Sequence, residues 1–124
     1  MAKIIVADDE PTHLDLVATI LERAGHQVVA VTSGRDCLGQ LSLGPVDLVI
    51  SDIFMPGMDG FQLVAEISKR GLEVPVIGMT GGMRGHFEPF SDIMSRLGAR
   101  LILAKPFSGE QLLQAVNQSL ALSD

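Results

Sequence analysis

Polar side chains suited to binding cations or phosphoryl groups stand directly after four short apolar runs of this sequence. In chain order they are Asp8-Asp9-Glu10, Ser51-Asp52, Thr80-Gly81-Gly82 and Lys105-Pro106-Phe107. If the apolar runs are parallel strands of one sheet, their carboxyl ends meet at one edge, where the sites of such sheets form. The sequence therefore predicts carboxylates, a hydroxyl and an ammonium group together at a single edge.

This set of groups indicates phosphoryl chemistry assisted by a divalent cation. Carboxylates crowded together are costly unless a cation neutralises them, and Mg²⁺ prefers hard oxygen ligands beside a phosphate. A lysine can neutralise one phosphoryl oxygen, and a threonine hydroxyl can hydrogen-bond another. An aspartate can itself be the nucleophile and form an acyl phosphate.

Five apolar runs predict the strands that position these groups. They span residues 4–7, 28–31, 46–50, 76–79 and 101–104. Most are continuous rather than alternating, as in parallel strands that are buried on both faces. Stretches with helical spacing lie between and after the strands, with start signals at Pro11, Ser33, Asp59 and Ser108. Strands alternating with helices predict a doubly wound α/β fold with right-handed crossovers.

The stretch from Gly81 to Glu88 is the least regular part of the sequence. Its glycines predict a loop, and the fourth helix is predicted to start near Pro89 and to run to Leu97. Cys37 is interpreted as a small packing residue in the second helix. Three histidines without a shared spacing are interpreted as surface or helix-edge residues: His13, His26 and His86.

The composition indicates one acidic domain over residues 1–124. Hydrophobic residues make up 47% and charged residues 19%, which excludes a disordered chain. The 15 acidic and 9 basic residues give a net charge of −6, which argues against direct binding to nucleic acid. The single cysteine excludes an internal disulfide framework and favours a cytoplasmic location. No apolar stretch reaches the roughly 18 residues of a transmembrane helix, so no membrane insertion is expected.

The sequence resembles the receiver domain of two-component response regulators, and the resemblance covers essentially the whole chain. The residues that carry it are Asp8-Asp9, Asp52-Ile53-Phe54-Met55-Pro56-Gly57-Met58-Asp59-Gly60, Thr80 and Lys105-Pro106-Phe107. Each piece alone is common, whereas all four in order, each at a strand end, are specific. The resemblance implies a five-stranded parallel sheet, in the flavodoxin-like order 2-1-3-4-5, with five flanking helices.

The resemblance also implies a function. Asp52 would accept a phosphoryl group from a histidine kinase or a histidine phosphotransfer protein. Lys105 would pair with Asp52 and then with a phosphoryl oxygen, and Thr80 would swing toward the phosphoryl group. The domain would not be an enzyme, and its output would be a changed contact with a downstream protein.

Mg²⁺ is the cofactor that the resemblance implies. Asp9, Asp52 and the backbone carbonyl of Phe54 would bind the ion directly, and Asp8 would act through a bound water. Because these acids crowd together, at least one carboxyl is predicted to have a raised pKa without the metal. Taken alone, the acids after the first strand are better explained as a charge cluster at a helix N-terminus, and Asp52 and Lys105 make that explanation a minor contribution. Asp59 is interpreted as a helix cap.

Two features depart from the family pattern. Ile102 stands three residues before Lys105, where many receivers have an aromatic residue whose rotamer is coupled to the threonine. The stretch from Thr80 to Lys105 is also several residues longer than usual, so we expect unusual partner recognition. In this region, Phe87 and Phe90 either pack under the loop or anchor a partner.

Slow self-dephosphorylation is a further expectation. Phe54 and Gly82, two residues past Asp52 and Thr80, occupy the positions at which family members tune hydrolysis of the acyl phosphate. Neither side chain can hydrogen-bond an attacking water.

Three functions remain open from the sequence. The first is a phosphorylation-controlled switch, which the acids, Thr80 and Lys105 favour. The second is an interaction module of receiver fold with weak or vestigial phosphorylation, which Ile102 mildly favours. The third is an unrelated flavodoxin-like enzyme or nucleotide binder, although no phosphate-loop motif is present. A stand-alone regulator and a domain cut from a longer chain would look the same.

Overall fold

The fold is a five-stranded parallel sheet with helices on both faces. The computed structural model describes residues 1–81 and 87–122. The strands are β1 (Lys3–Ala7), β2 (Gln27–Val31), β3 (Leu48–Asp52), β4 (Val76–Thr80) and β5 (Leu101–Ala104). Every pairing is parallel and the order is β2-β1-β3-β4-β5. The predicted fold class and strand order are confirmed.

Five helices follow the strands in alternation. They are α1 (Pro11–Arg23), α2 (Gly34–Leu41), α3 (Gly60–Lys69), α4 (Phe87–Leu97) and α5 (Gly109–Leu122). The predicted start signals are confirmed. Pro11 occupies the first turn of α1, and the Ser33 hydroxyl accepts a hydrogen bond from the Asp36 amide. Asp59 and Gln62 form a reciprocal capping box at α3.

Two predicted boundaries are wrong by a few residues. The third strand was expected over 46–50 but spans Leu48–Asp52, so Asp52 lies inside the strand and pairs with Met79. The loop expected from Gly81 to Glu88 is shorter, because α4 begins at Phe87. The strand keeps its five residues but is shifted by two, because its ladder with β4 continues to Asp52 beyond the apolar run.

The core has two apolar layers because successive strand residues point to opposite faces of the sheet. Ile5, Val49 and Ile53 pack on one face, which α2, α3 and α4 cover. Ile4, Ile50 and further strand residues pack on the other face, which α1 and α5 cover. The continuous apolar runs of the sequence thus fill both layers.

Cys37 lies in α2 and belongs to the layer covered by α2, α3 and α4, which confirms its interpretation as a packing residue. Burial raises the pKa of its thiol to about 12, so it stays protonated and apolar at neutral pH. Within the described part of the chain, the helices are too short or too polar to cross a bilayer.

Candidate functional site

The predicted acids meet at the carboxyl edge of the sheet. Ala7 at the end of β1 pairs with Ser51, so Asp8 and Asp52 follow side by side on neighbouring strands. Carboxylate oxygens of Asp8, Asp9 and Asp52 all lie within 4.8 Å of one another. Asp8 is fully buried, Asp52 is 8% exposed, and Asp9 is open to solvent. One side of the cluster therefore faces water.

Lys105 reaches this cluster from the far strand of the sheet. It follows β5, and its backbone amide donates a hydrogen bond of 2.6 Å to the Thr80 carbonyl oxygen at the end of β4. Its Nζ lies 3.2 Å from Asp52 Oδ2 and 3.5 Å from Asp8 Oδ2. The ammonium group thus bridges the two buried carboxylates.

Asp8 is held by three donors. Its Oδ1 accepts a hydrogen bond of 3.0 Å from the Glu10 amide, and its Oδ2 lies 2.6 Å from His13 Nδ1 in addition to the Lys105 contact. Glu10 also caps α1, because its carboxylate accepts hydrogen bonds from the amides of Thr12 and His13. A buried carboxylate needs such partners, since an unpaired one would be strongly destabilising.

His13 is the site residue that the sequence did not indicate. It was interpreted as a surface or helix-edge residue, whereas its side chain is 20% exposed and contacts Asp8. Its place in the first turn of α1 is the available signal. That place does not by itself predict the contact with Asp8, which depends on how α1 packs beside the end of β1.

Asp52 has an electrostatically unfavourable position. Burial raises the pKa of its carboxyl, and the negative charge of Asp8 raises it further. The Lys105 charge and hydrogen bond oppose this shift, as does a long hydrogen bond of 3.4 Å from the Phe54 amide. The prediction that one of the crowded acids has a raised pKa is confirmed for Asp52.

The loop between β3 and α3 is shaped by glycines. Gly57 adopts φ +82°, which L residues rarely adopt. Gly60 packs directly on the strand end, where an added Cβ would lie 2.7 Å from Ile53 Cα and 2.8 Å from the Asp52 carbonyl oxygen. The loop thereby returns close to Asp52. Phe54 within it is 45% exposed and meets the Phe61 ring edge-on.

Thr80 and Ile102 mark the side of the site nearest α4. Thr80 is the last residue of β4, is buried, and pairs with Ala104. Ile102 is half-buried against the layer that α2, α3 and α4 cover. Gly78 provides its space, because an added Cβ would lie 2.9 Å from Ile102 Cδ1 and 2.9 Å from Met94 Cε. The expected aromatic position is therefore filled by an aliphatic packing residue.

Several predictions fall outside the described part of the chain. Gly82, His86 and the extra loop length lie within residues 82–86, and the side chains of Phe87 and Phe90 are also not described. The two interpretations of these phenylalanines, and the tuning role of Gly82, therefore stay predictions.

The donor set fits Mg²⁺. The three clustered acids offer carboxylate oxygens, the hard ligands that this ion selects, and the exposed side leaves room for waters and a phosphoryl oxygen. Among the acids, cysteines and histidines that the structure describes, these three form the group whose side chains lie close enough together to hold a metal ion. Asp59 is not among them, since its carboxylate caps α3.

The fold and this edge of the sheet are those of a flavodoxin-like α/β domain, which carries its sites at the carboxyl ends of the strands. The sequence matches the family described as the response regulator receiver domain over residues 4–117. It is 31% identical over 120 residues to the response regulator SaeR of Staphylococcus aureus, covering 97% of this chain and 51% of SaeR. The chain thus spans about half the length of the curated relatives it matches.

Solved structures agree with this match. The receiver domain of NtrX from Brucella abortus superimposes with a TM-score of 0.88 at 32% identity, covering 95% of this chain and 98% of that one. A response regulator receiver domain protein from Clostridium thermocellum superimposes with a TM-score of 0.88 at 31% identity, covering 98% of this chain and 96% of that one. The chain belongs to the response regulator receiver domains of two-component signalling systems.

Proposed function

We propose that this chain accepts a phosphoryl group on Asp52 from a histidine kinase or a histidine phosphotransfer protein. The observation that carries the proposal is the position of Lys105 Nζ, 3.2 Å from Asp52 Oδ2, beside the acids of β1. Receiver domains are phosphoacceptors that interact with histidine kinases and downstream effectors. Lys105 contacts both Asp8 and Asp52, but Asp8 is fully buried, whereas Asp52 retains partial access to solvent.

In the proposed step, an Asp52 carboxylate oxygen attacks the phosphorus of a phosphohistidine. An O–P bond forms, the P–N bond breaks, and its electron pair stays on the leaving imidazole nitrogen. Lys105 lies where it can neutralise charge on a transferring phosphoryl oxygen. The hydrogen bond from the Lys105 backbone amide to the Thr80 carbonyl oxygen holds the lysine backbone beside the end of β4. Lys105 stabilises the Asp52 carboxylate before the transfer, and the same ammonium group can then contact a phosphoryl oxygen.

Asp9, Asp52 and the Phe54 carbonyl are the proposed direct ligands of Mg²⁺, with Asp8 acting through a water. When bound, the ion neutralises charge on the carboxylates and the phosphoryl oxygens. The exposure of Asp9 and the burial of Asp8 fit this division, because the outer acid can reach an ion that retains waters. Glu10, through its amide, keeps Asp8 facing the cluster.

Thr80 is the proposed reporter of phosphorylation. Its buried position at the end of β4 places it beside the Lys105 backbone. Movement of its hydroxyl toward a phosphoryl oxygen would alter the region before α4 and so change contact with a downstream protein. We propose that this output is a protein contact without direct nucleic-acid binding, in keeping with the net charge of −6. We also propose a cytoplasmic location, where histidine kinases present their phosphohistidine.

A second candidate is an interaction module with weak or vestigial phosphorylation, which Ile102 in place of an aromatic residue favours. Phosphorylation itself separates the two. The protein is incubated with Mg²⁺ and phosphoramidate or acetyl phosphate and then examined by intact-mass spectrometry. Asp52→Asn is expected to lose the adduct, whereas Asp15→Asn, an exposed acid on α1, keeps it. No adduct with either donor or with a phosphorylated phosphotransfer protein would refute the first proposal.

A further inference from the structure

The His13 side chain sits between two parts of the site. Its Nδ1 lies 2.6 Å from Asp8 Oδ2, and its ring meets Phe107 edge-on, with centroids 5.7 Å apart and planes at 78°. Phe107 follows Lys105 by two residues in the loop before α5. The imidazole therefore joins the first turn of α1 to the loop that carries the lysine.

We propose that His13 is a positioning residue for the phosphorylation site, acting through Asp8. Its Nδ1–H donates to the Asp8 carboxylate and fixes the orientation of Asp8, which would hold a water on a bound Mg²⁺. The proposal rests on the proposed function. Partners that do not touch the metal themselves orient the groups that act on it and tune their basicity, and here that group is Asp8, which acts through a water.

The second part of the role concerns Lys105. Asp8 Oδ2 has two candidate cationic or donor partners, His13 at 2.6 Å and Lys105 at 3.5 Å. The shorter contact belongs to His13, and the lysine lies closer to Asp52, at 3.2 Å. Without His13, the fully buried Asp8 Oδ2 would depend on its 3.5 Å contact with Lys105 and would draw the ammonium group toward itself. His13 thereby keeps the lysine available to Asp52 and to a phosphoryl oxygen.

The ring orientation is set by packing. Phe107 limits rotation of the imidazole on one side, and the helix backbone fixes its Cβ on the other, because His13 lies in the capped first turn of α1. Such a supported side chain holds its hydrogen bond with little loss of side-chain entropy. A flexible donor at the same position would not restrain Asp8 equally well.

The test compares three variants. His13→Asn places an amide NH close to the Nδ1 position, His13→Gln places it farther out, and His13→Leu removes the donor while keeping a similar volume. His26→Asn is the matched control, because His26 Nδ1 accepts a hydrogen bond from the Ala2 amide at the opposite end of β1. Each protein is examined by the carboxyl ¹³C shift of Asp8 without metal, by calorimetric Mg²⁺ titration and by phosphorylation with phosphoramidate.

His13→Leu is expected to shift the Asp8 signal, to weaken Mg²⁺ binding about tenfold or more, and to slow phosphorylation. His13→Asn should recover most of each loss, and His26→Asn should resemble the wild type. Unchanged Asp8 shift and Mg²⁺ affinity in His13→Leu would overturn the proposal, as would equal defects in the Leu and Asn variants. Rescue by Gln as strong as by Asn would overturn the assignment to Nδ1. If the wild type accepts no phosphoryl group, the proposed function fails, while the Asp8 signal still decides the role of His13.

Discussion

Gly81 leaves the space through which the Lys105 side chain reaches Asp52. An added Cβ at Gly81 would lie 2.5 Å from Lys105 Cδ, 2.7 Å from its Cβ and 3.0 Å from its Cγ. These atoms form the base and middle of the side chain, so the conflict cannot be relieved by moving the ammonium end alone. The residue after Thr80 therefore controls where the lysine lies.

Gly81→Ala is expected to displace Lys105 and to slow phosphorylation by phosphoramidate by about tenfold or more, because small misplacements of a charge-neutralising group are costly. The rate is measured by intact-mass spectrometry at fixed Mg²⁺. Gly44→Ala is the control, since an added Cβ there meets no atom within 4 Å. A wild-type rate in Gly81→Ala would show that the lysine reaches Asp52 by another route.

Asp52→Asn is expected to stabilise the metal-free protein at neutral pH. The pKa of Asp52 is raised from its ordinary value of 3.8 by burial and by Asp8, so the folded state holds its proton to higher pH than the unfolded state. Stability is therefore lost as the pH rises from that ordinary value through the folded pKa, and the ionised form carries the full cost above it. The asparagine removes this cost.

Thermal unfolding from acidic to neutral pH in a chelating buffer checks this prediction. The difference in melting temperature between Asp52→Asn and the wild type should grow as the pH rises. It should vanish near pH 3.8, the ordinary pKa of an aspartate. Asp15→Asn should stay close to the wild type throughout, because Asp15 is exposed. An asparagine variant less stable than the wild type at neutral pH would mean that the Lys105 ion pair outweighs burial and repulsion by Asp8.

Mg²⁺ is expected to raise the melting temperature of the wild type. An ion that binds only the folded state contributes about 1.4 kcal/mol at ten times its dissociation constant, which corresponds to a rise in melting temperature of roughly 5 °C for a domain of this size. Asp9→Asn should abolish most of the rise with little effect on the metal-free protein, because Asp9 is exposed. An equal rise in Asp9→Asn would place the ion elsewhere.

The site could be predicted from the sequence to the extent that strand ends determine it. Asp8, Asp52, Thr80 and Lys105 each follow or end a continuous apolar run, and parallel strands bring such ends together. The His13 contact could not be predicted, since it depends on how α1 packs over β1 and on Phe107 from a distant loop. Asp52 lies inside β3 because ladder hydrogen bonds extend the strand past its apolar part.

Gly60→Ala is expected to destabilise the fold by about 2 kcal/mol, the middle of the range for overpacking. The new Cβ would press on backbone atoms of β3, at 2.7 Å from Ile53 Cα, and backbone cannot move aside as a side-chain end can. Gly39→Ala in α2 is the control, because its Cβ meets nothing within 4 Å and alanine favours a helix. Chemical denaturation measures both, and equal stabilities would show that the loop after β3 can relax.

Phe54→Asn is expected to speed self-dephosphorylation of the phosphorylated protein by about tenfold or more, because an amide near the acyl phosphate can position an attacking water. The Phe54 backbone amide donates a hydrogen bond of 3.4 Å to Asp52 Oδ1, and the side chain is 45% exposed, so an asparagine at this position has space to turn toward the site. The decay of the phosphoryl adduct is followed by intact mass after removal of the donor. Phe54→Leu, which keeps an apolar side chain, should decay as slowly as the wild type. Decay of the wild-type adduct within seconds, without a phosphatase, would contradict the prediction that the apolar Phe54 side chain keeps hydrolysis of the acyl phosphate slow.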